Sequence, residues 1–279
     1  MSLDSTSDAL GLDWRMPPLR EVSVLGHKIA YYEKGEGPPL VLAHGFSGSA
    51  PFEWGRVFDL LAARHRVVAP QLIGFLPSAQ PDIVYSTDAQ LGHLSGFLDA
   101  LGLAGCTLAG ESYGGWLVAA YAARAAEPGS TLCRVGRYAI LCGAVGIVRS
   151  AETPPAPRPP PETPLWRAIV ARLPELNPHD VANNWVRERI FAASDLGRGW
   201  PDARALSKIA APTLLLWGED DELVPVRYGR DAAAAIPGSQ LIVLPRVGHI
   251  PSIDAPRDFA RILTDFVAGR PASSEPRLT

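Results

Sequence analysis

Two kinds of residue are scarce in this chain of 279, and neither sign of charge is in marked excess. It has 3 cysteines and 2 methionines, and its 26 basic residues nearly balance its 29 acidic ones, leaving a net charge of −3. Cys106, Cys133 and Cys142 are too few and too far apart for a disulfide framework, and no C-x-x-C pair is present to suggest zinc or thioredoxin-like chemistry. Each lies among apolar neighbours, where cysteine behaves as a small hydrophobe. With no excess of positive charge there is no electrostatic footprint for nucleic acid or for an anionic membrane surface. No apolar run is long enough to cross a bilayer. The first residues, MSLDSTSDALGLD, lack the basic start and apolar stretch of a secretory signal. The cytoplasm is therefore the expected compartment, and a small molecule the expected partner. Oligomeric state leaves no signal.

What the chain does have is short apolar runs alternating with longer amphipathic ones. Val22–Leu25 and Ile29–Tyr32 flank Gly26 and predict a hairpin. Six further runs predict strands: 39–43, 65–69, 106–109, 138–142, 213–217 and 240–244. They are apolar throughout, as expected of strands covered by helices on both faces of a parallel sheet. Helical patterns fill the intervals at 53–63, 88–101, 114–126, 226–235 and 255–267. Strand and helix in turn predict an α/β, doubly wound fold. Between 144 and 207 no strand is visible. That interval opens with a proline-rich stretch from Thr153 to Pro164 and carries Trp166, Trp185 and Trp200, so it is expected to be a packed insertion. The predicted organisation is an N-terminal extension (1–20), a core (21–143 and 208–269), the insertion (144–207) and a tail (270–279).

Chemistry concentrates at strand ends. The strand CTLA runs into Gly110-Glu111-Ser112-Tyr113-Gly114-Gly115 and then a helix. A G-x-S-x-G turn between strand and helix raises the serine hydroxyl clear of the sheet, beside N–H groups that favour negative charge. The plainer alternative is a helix entry with an N-capping serine. A serine hydroxyl needs a base. Of six histidines, His249 follows the strand QLIVL and lies at the same carboxyl edge as Ser112, whereas His27, His65, His93 and His179 are placed elsewhere. The acidic turn Glu219-Asp220-Asp221-Glu222 offers an orienting carboxylate; position favours Asp221, with Asp220 second. His44-Gly45-Phe46-Ser47-Gly48 follows another strand, and the Phe46 and Tyr113 N–H groups are the expected oxyanion donors. His44 is expected to hold that loop.

HGFSG, GESYGG, GEDD-x-x-VP and VGH, in this order and over roughly residues 21–269, resemble the α/β-hydrolase superfamily. The resemblance implies a Ser112–His249–Asp221 triad, a helical cap formed by the insertion, and no metal or organic cofactor. Serine at the nucleophile position separates the chain from the aspartate branches, the haloalkane dehalogenases and epoxide hydrolases. One loop departs from the family's Asp-x-x-Gly-x-Gly run: Gln71 and Leu76 stand where an acid and a glycine are usual. The expected activity is hydrolysis of a carboxylic ester or lactone of a small apolar or aromatic molecule. Alternatives are a carbon–carbon hydrolase of ring-fission diketones, a cofactor-free perhydrolase, or a ligand-binding module on the same scaffold. Phe52, Trp54, Trp166 and Trp185 are candidate pocket residues, with packing as their plainer role.

Overall fold

The computed structural model describes residues 14–143, 145 and 164–270. The residues 153–163 of the proline-rich stretch, most of the predicted extension and the tail beyond 270 lie outside them. Eight strands form one sheet: β1 (Leu19–Val24), β2 (His27–Lys34), β3 (Pro39–Ala43), β4 (Arg66–Pro70), β5 (Thr107–Glu111), β6 (Arg137–Leu141), β7 (Thr213–Gly218) and β8 (Gln240–Leu244). Their order is β1-β2-β4-β3-β5-β6-β7-β8. β1 and β2 are antiparallel to each other, as is β2 to β4, and every pairing from β4 to β8 is parallel. The chain is α/β with a mostly parallel sheet, as the strand pattern predicts.

Period-two alternation explains why the central strands are apolar on both sides. Leu40 and Leu42 of β3 point into one core, with Leu214 and Leu216 of β7. Val41 and Ala43, with Leu215 and Trp217, point into the other. Helices α1 (Ala50–Trp54), α2 (Phe58–Ala62) and α10 (Pro256–Val267) cover the first face. Helices α3 (Thr87–Ala100), α4 (Tyr113–Ala125) and α8 (Arg227–Ala235) cover the second. The described part of the insertion is helical: α5 (Pro164–Leu176), α6 (Asn184–Ala193) and α7 (Ala203–Leu206). A four-residue helix, α9 (Pro251–Asp254), follows the loop after β8.

Two expectations are corrected. The helix expected over 53–63 is two short helices, because the Gly55 carbonyl is taken by the Arg15 N–H (3.0 Å) of the preceding chain. The first strand begins at Leu19, ahead of the predicted hairpin. Among the described residues no helix is long and apolar enough to cross a membrane.

Candidate active site

Ser112, Asp221 and His249 come from loops after β5, β7 and β8, all at the carboxyl edge of the sheet. Ser112 stands between β5 and α4 with φ 57° and ψ −117°, a left-handed conformation that a non-glycine residue adopts only when its surroundings impose it. The surroundings do so by close packing. A Cβ on Gly110 would lie 2.2 Å from the Gly114 carbonyl oxygen, and one on Gly114 would lie 2.1 Å from that of Ala43. The Ser112 N–H donates to Leu141 O (2.9 Å), fixing the turn against β6. Its side chain makes no cap hydrogen bond to α4, so the N-capping alternative fails. The hydroxyl is engaged elsewhere.

That engagement is with His249. Ser112 O–H donates to His249 Nε2 (2.9 Å), and His249 Nδ1–H donates to Asp221 Oδ2 (2.8 Å). A carboxylate oxygen can only accept, so the proton belongs on Nδ1 and Nε2 is left to accept from the serine. The Asp221 side chain is fully buried, whereas the imidazole keeps 16% exposure and can meet a substrate. Asp221 Oδ1 accepts from the Leu223 and Val224 N–H groups (3.0 and 2.8 Å). Asp220, the second choice for the acid, is exposed and uses its backbone N–H on Val247 O (3.0 Å).

The turn after β3 lies against Ser112: a Cβ on Gly45 would sit 2.9 Å from the Ser112 Cβ. Neither the Phe46 N–H nor the Tyr113 N–H has a hydrogen-bond partner among the described residues. His44 holds this turn. Its Nε2 accepts from the Leu72 N–H (3.1 Å), so its Nδ1–H donates to Gly45 O (2.8 Å). Burial lowers its pKa to about 4, which keeps the ring neutral and able to serve both partners. The Phe46 and Tyr113 rings stack on each other, centroids 4.2 Å apart.

Two buried carboxyl groups behind the serine escaped the sequence reading. Glu53 accepts from the Gly45 N–H with both oxygens (2.8 and 2.7 Å) and from the Ser47 hydroxyl. Glu111 accepts from Ser252 Oγ (2.6 Å) and Ser252 N (3.3 Å), tying the nucleophile strand to the loop that carries His249. Burial raises the Glu53 pKa to about 8, against the lowering by its Ser47 and Gly45 hydrogen bonds, and burial followed by the nearby Glu53 charge pushes that of Glu111 well above the usual carboxylate range. No local pattern marks either residue; the signal is an acid within an otherwise apolar segment.

Gln71, the residue that breaks the family pattern, is a buried connector. Its Oε1 accepts from Ala50 N (2.6 Å), and its Nε2 donates to Gly48 O (2.9 Å) and Leu76 O (2.8 Å). An acid here would face two carbonyl oxygens without a donor to offer, so the loop is built for an amide.

The candidate pocket residues fare differently. Trp54 is fully buried and packs against Phe259 (6.2 Å between centroids) in the core under α1 and α10. Phe52 packs with Trp14, Ile169, Leu176 and Ile253, joining α5 to the core. Both side chains lie on the inward stripe of α1, which faces the sheet and α5, a position that fits the plainer packing role. Trp185 lies edge-on to Tyr85 (5.9 Å) with the Arg189 guanidinium 3.9 Å above its ring. Trp166 is on α5, but its side chain lies outside the described residues. Cys142, Asp221 and His249 offer ligand atoms within 4.8 Å of one another. Burial pushes the Cys142 thiol well above its ordinary range, and Asp221 and His249 are committed to each other, so this donor set suits a metal poorly.

A model of the alpha/beta hydrolase family matches residues 40–262. The 2-hydroxy-6-oxo-6-(2'-aminophenyl)hexa-2,4-dienoic acid hydrolase of Metapseudomonas resinovorans is 28% identical over 273 residues, covering 90% of this chain and 91% of that one. The 2-hydroxy-6-oxo-2,4-heptadienoate hydrolase of a Pseudomonas putida strain is 32% identical over 272 residues, covering 89% and 96%. Among solved structures, a membrane phospholipase A described as a bacterial virulence factor superposes with a TM-score of 0.75 at 27% identity, over 95% of this chain and 90% of that one. A serine hydrolase involved in carbazole degradation gives 0.74 at 25%, over 91% and 99%. With the strand order and the serine turn already pointing the same way, this chain belongs to the α/β hydrolase family and is a serine hydrolase.

Proposed function

We propose that Ser112, His249 and Asp221 form the catalytic triad of a two-step acyl transfer. One observation carries the reading: an unbroken line of hydrogen bonds runs from a buried carboxylate through an imidazole to a serine held in a strained left-handed turn. His249 takes the Ser112 proton as the oxygen attacks a carbonyl carbon. The developing oxyanion is met by the free Phe46 and Tyr113 N–H groups. His249 then protonates the leaving group, and in the second step it takes a proton from water, which releases the acid. Asp221 holds the imidazole in the tautomer this needs. Residues 144–207 act as the cap over this site.

The substrate is a small carbonyl compound with an apolar or aromatic part, first of all a carboxylic ester or lactone. A second reading has its own support. The two curated relatives above are named as hydrolases of 2-hydroxy-6-oxo dienoates, which favours cleavage of a carbon–carbon bond next to a ketone. The same serine and oxyanion donors would serve, with a stabilised carbanion as leaving group. Labelling with a fluorophosphonate, followed by a panel of aryl esters, lactones and vinylogous diketones, tests both levels. Ser112 is expected to be labelled in the native protein and unlabelled in Ser112→Ala, with turnover lost in Ser112→Ala and His249→Ala. Turnover surviving in Ser112→Ala would end the acyl-transfer reading. The substrate class is decided by which group of compounds gives the higher kcat/KM.

A further inference from the structure

The turn that carries the Phe46 N–H is gripped from above by the inserted helices. Arg187 lies on α6, 141 residues along the chain from Phe46. Its Nε–H donates to Phe46 O (2.7 Å) and its Nη2 to Ser47 O (2.8 Å). Nη2 also donates to Asp180 Oδ1 (2.6 Å), and Nη1 donates to Asp180 O (2.9 Å) and Asn184 Oδ1 (2.7 Å). A guanidinium has five N–H donors in a rigid fork, and here there are five acceptors to match. The side chain is 17% exposed. Neighbouring groups grip the same turn: Asn177 Nδ2 donates to Ser47 O (2.7 Å), Asn183 Nδ2 to Gly48 O (3.3 Å), and the Ser49 hydroxyl to Leu176 O. One helical turn beyond Arg187, the Phe191 ring leans on the Phe46 ring with centroids 4.9 Å apart.

The geometry of the peptide units gives this grip its consequence. The Phe46 N–H belongs to the Gly45–Phe46 peptide, whose carbonyl is held by His44 Nδ1–H (2.8 Å) and the Gly48 N–H (3.1 Å). The peptide on the other side of the Phe46 Cα is held through its carbonyl by Arg187. The N–H lies in the first plane, so its aim depends on both holds of the Gly45 carbonyl. One of them, His44, comes from the core; the other, the Gly48 N–H, stays in reach only while the 45–48 turn is closed, and the inserted helices keep it closed through Arg187 on Phe46 O and Ser47 O and Asn183 on Gly48 O.

We infer that Arg187 is a positioning residue for the oxyanion hole, through which the docked position of residues 164–207 sets the aim of the Phe46 N–H. This rests on the acyl-transfer reading above, in which that N–H meets the oxyanion. It makes the cap a working part of the catalytic centre: a cap that lifts releases the Phe46 carbonyl and slackens the donor.

The test uses the full chain with an aryl acetate as substrate and an aryl trifluoromethyl ketone as inhibitor. The ketone adds Ser112 and places an oxyanion where the transition state has one. In Arg187→Ala and Arg187→Lys, kcat is expected to fall roughly 10- to 100-fold, less than the roughly 10²- to 10³-fold lost when an oxyanion donor is removed outright, while KM stays within about twofold. The ketone's inhibition constant should rise by the factor by which kcat/KM falls. Millimolar guanidinium should restore part of the Arg187→Ala rate, and methylammonium should not. Should Arg187→Ala not fold, Arg187→Lys carries the test, since one ammonium cannot span both carbonyls and Asp180. Wild-type kcat in the variants, or an unchanged ketone affinity alongside a lowered kcat, overturns the inference. Ser112→Ala separates the two ideas. If it is inactive while the Arg187 variants run at full rate, only the role of Arg187 is lost; if it remains active, the acyl-transfer reading itself is lost.

Discussion

Asp221 gives each of its oxygens a separate task. Oδ2 faces the His249 Nδ1–H, and Oδ1 faces two backbone N–H groups of the turn that follows. An asparagine satisfies only one side. If its amide NH2 faces His249, the imidazole must turn its proton toward Ser112 and can no longer accept from it; if the NH2 faces the turn, it meets the Leu223 and Val224 donors. Asp221→Asn is therefore expected to lower kcat on an aryl ester by about 10⁴-fold, the loss typical of an orienting aspartate in serine proteases. Asp220→Asn, at an exposed side chain, should stay within about twofold. Side-by-side steady-state rates of the two variants check this, and a larger loss in Asp220→Asn would reverse the assignment. The convergence of Ser112, His249 and Asp221 was legible in the sequence because each lies a few residues past a recognisable strand, so the strand pattern alone puts them on one edge. Glu53, Glu111 and Arg187 were not legible. Glu53 reads as the start of an ordinary amphipathic helix, and its partner, the Gly45 N–H, becomes visible only when α1 folds back beneath the turn. Arg187 looks like any charge on a cap helix, and the carbonyls it binds belong to the opposite end of the sequence.

At the scale of elements, β3 and the first turn of α4 pass at a distance only glycine allows. The Cβ of an alanine at 114 would sit 2.1 Å from Ala43 O and 2.8 Å from His44 O, both backbone atoms that cannot swing away. Gly114→Ala must push α4 off β3, which shifts Ser112 and the Tyr113 N–H together. Overpacking of this kind costs about 3 kcal/mol, so the urea midpoint should drop clearly and fluorophosphonate labelling of the remaining folded protein should slow. A variant with native stability would mean that the serine turn is looser than its geometry implies. Elements were read to within a residue or two wherever a local cause ends them. The helix pattern expected at 88–101 is α3, capped by the Ser86 side chain on Ala89 N (3.2 Å). The failure at 53–63 has a distant cause. Arg15 N–H takes the Gly55 carbonyl, and a Cβ at 55 would lie 2.1 Å from Cδ1 of Trp14, so the segment before β1 divides the helix. Nothing within 53–63 announces that contact.

For the molecule as a whole, two buried carboxyl groups join the segments that meet behind Ser112. Glu53 binds the oxyanion turn, Glu111 binds α9 beyond His249, and each burial disfavours the charged form. A carboxyl group whose folded pKa lies above its unfolded value binds more protons in the native state, so stability falls as pH rises. For Glu53 that contribution is fully present below about pH 4.5 and is lost as pH climbs through about 8. His44 acts with the opposite sign and in a lower window. Its folded pKa of about 4 means that unfolding takes up a proton between pH 4 and 6.5, which costs stability only as pH falls through that range. Above pH 6.5 the slope from His44 is gone and that from the carboxyl groups remains. The melting temperature is thus expected to decline from pH 6.5 to 9, and Glu53→Gln, which keeps an acceptor for Gly45 N–H without a charge to bury, should decline less. The wild-type minus variant difference in melting temperature, measured at closely spaced pH values, should change steadily between about pH 5 and 8 and level off above about pH 8. A difference that stays flat from pH 5 to 9 would show that Glu53 is ionised throughout, with the Gly45 N–H and Ser47 hydroxyl outweighing burial.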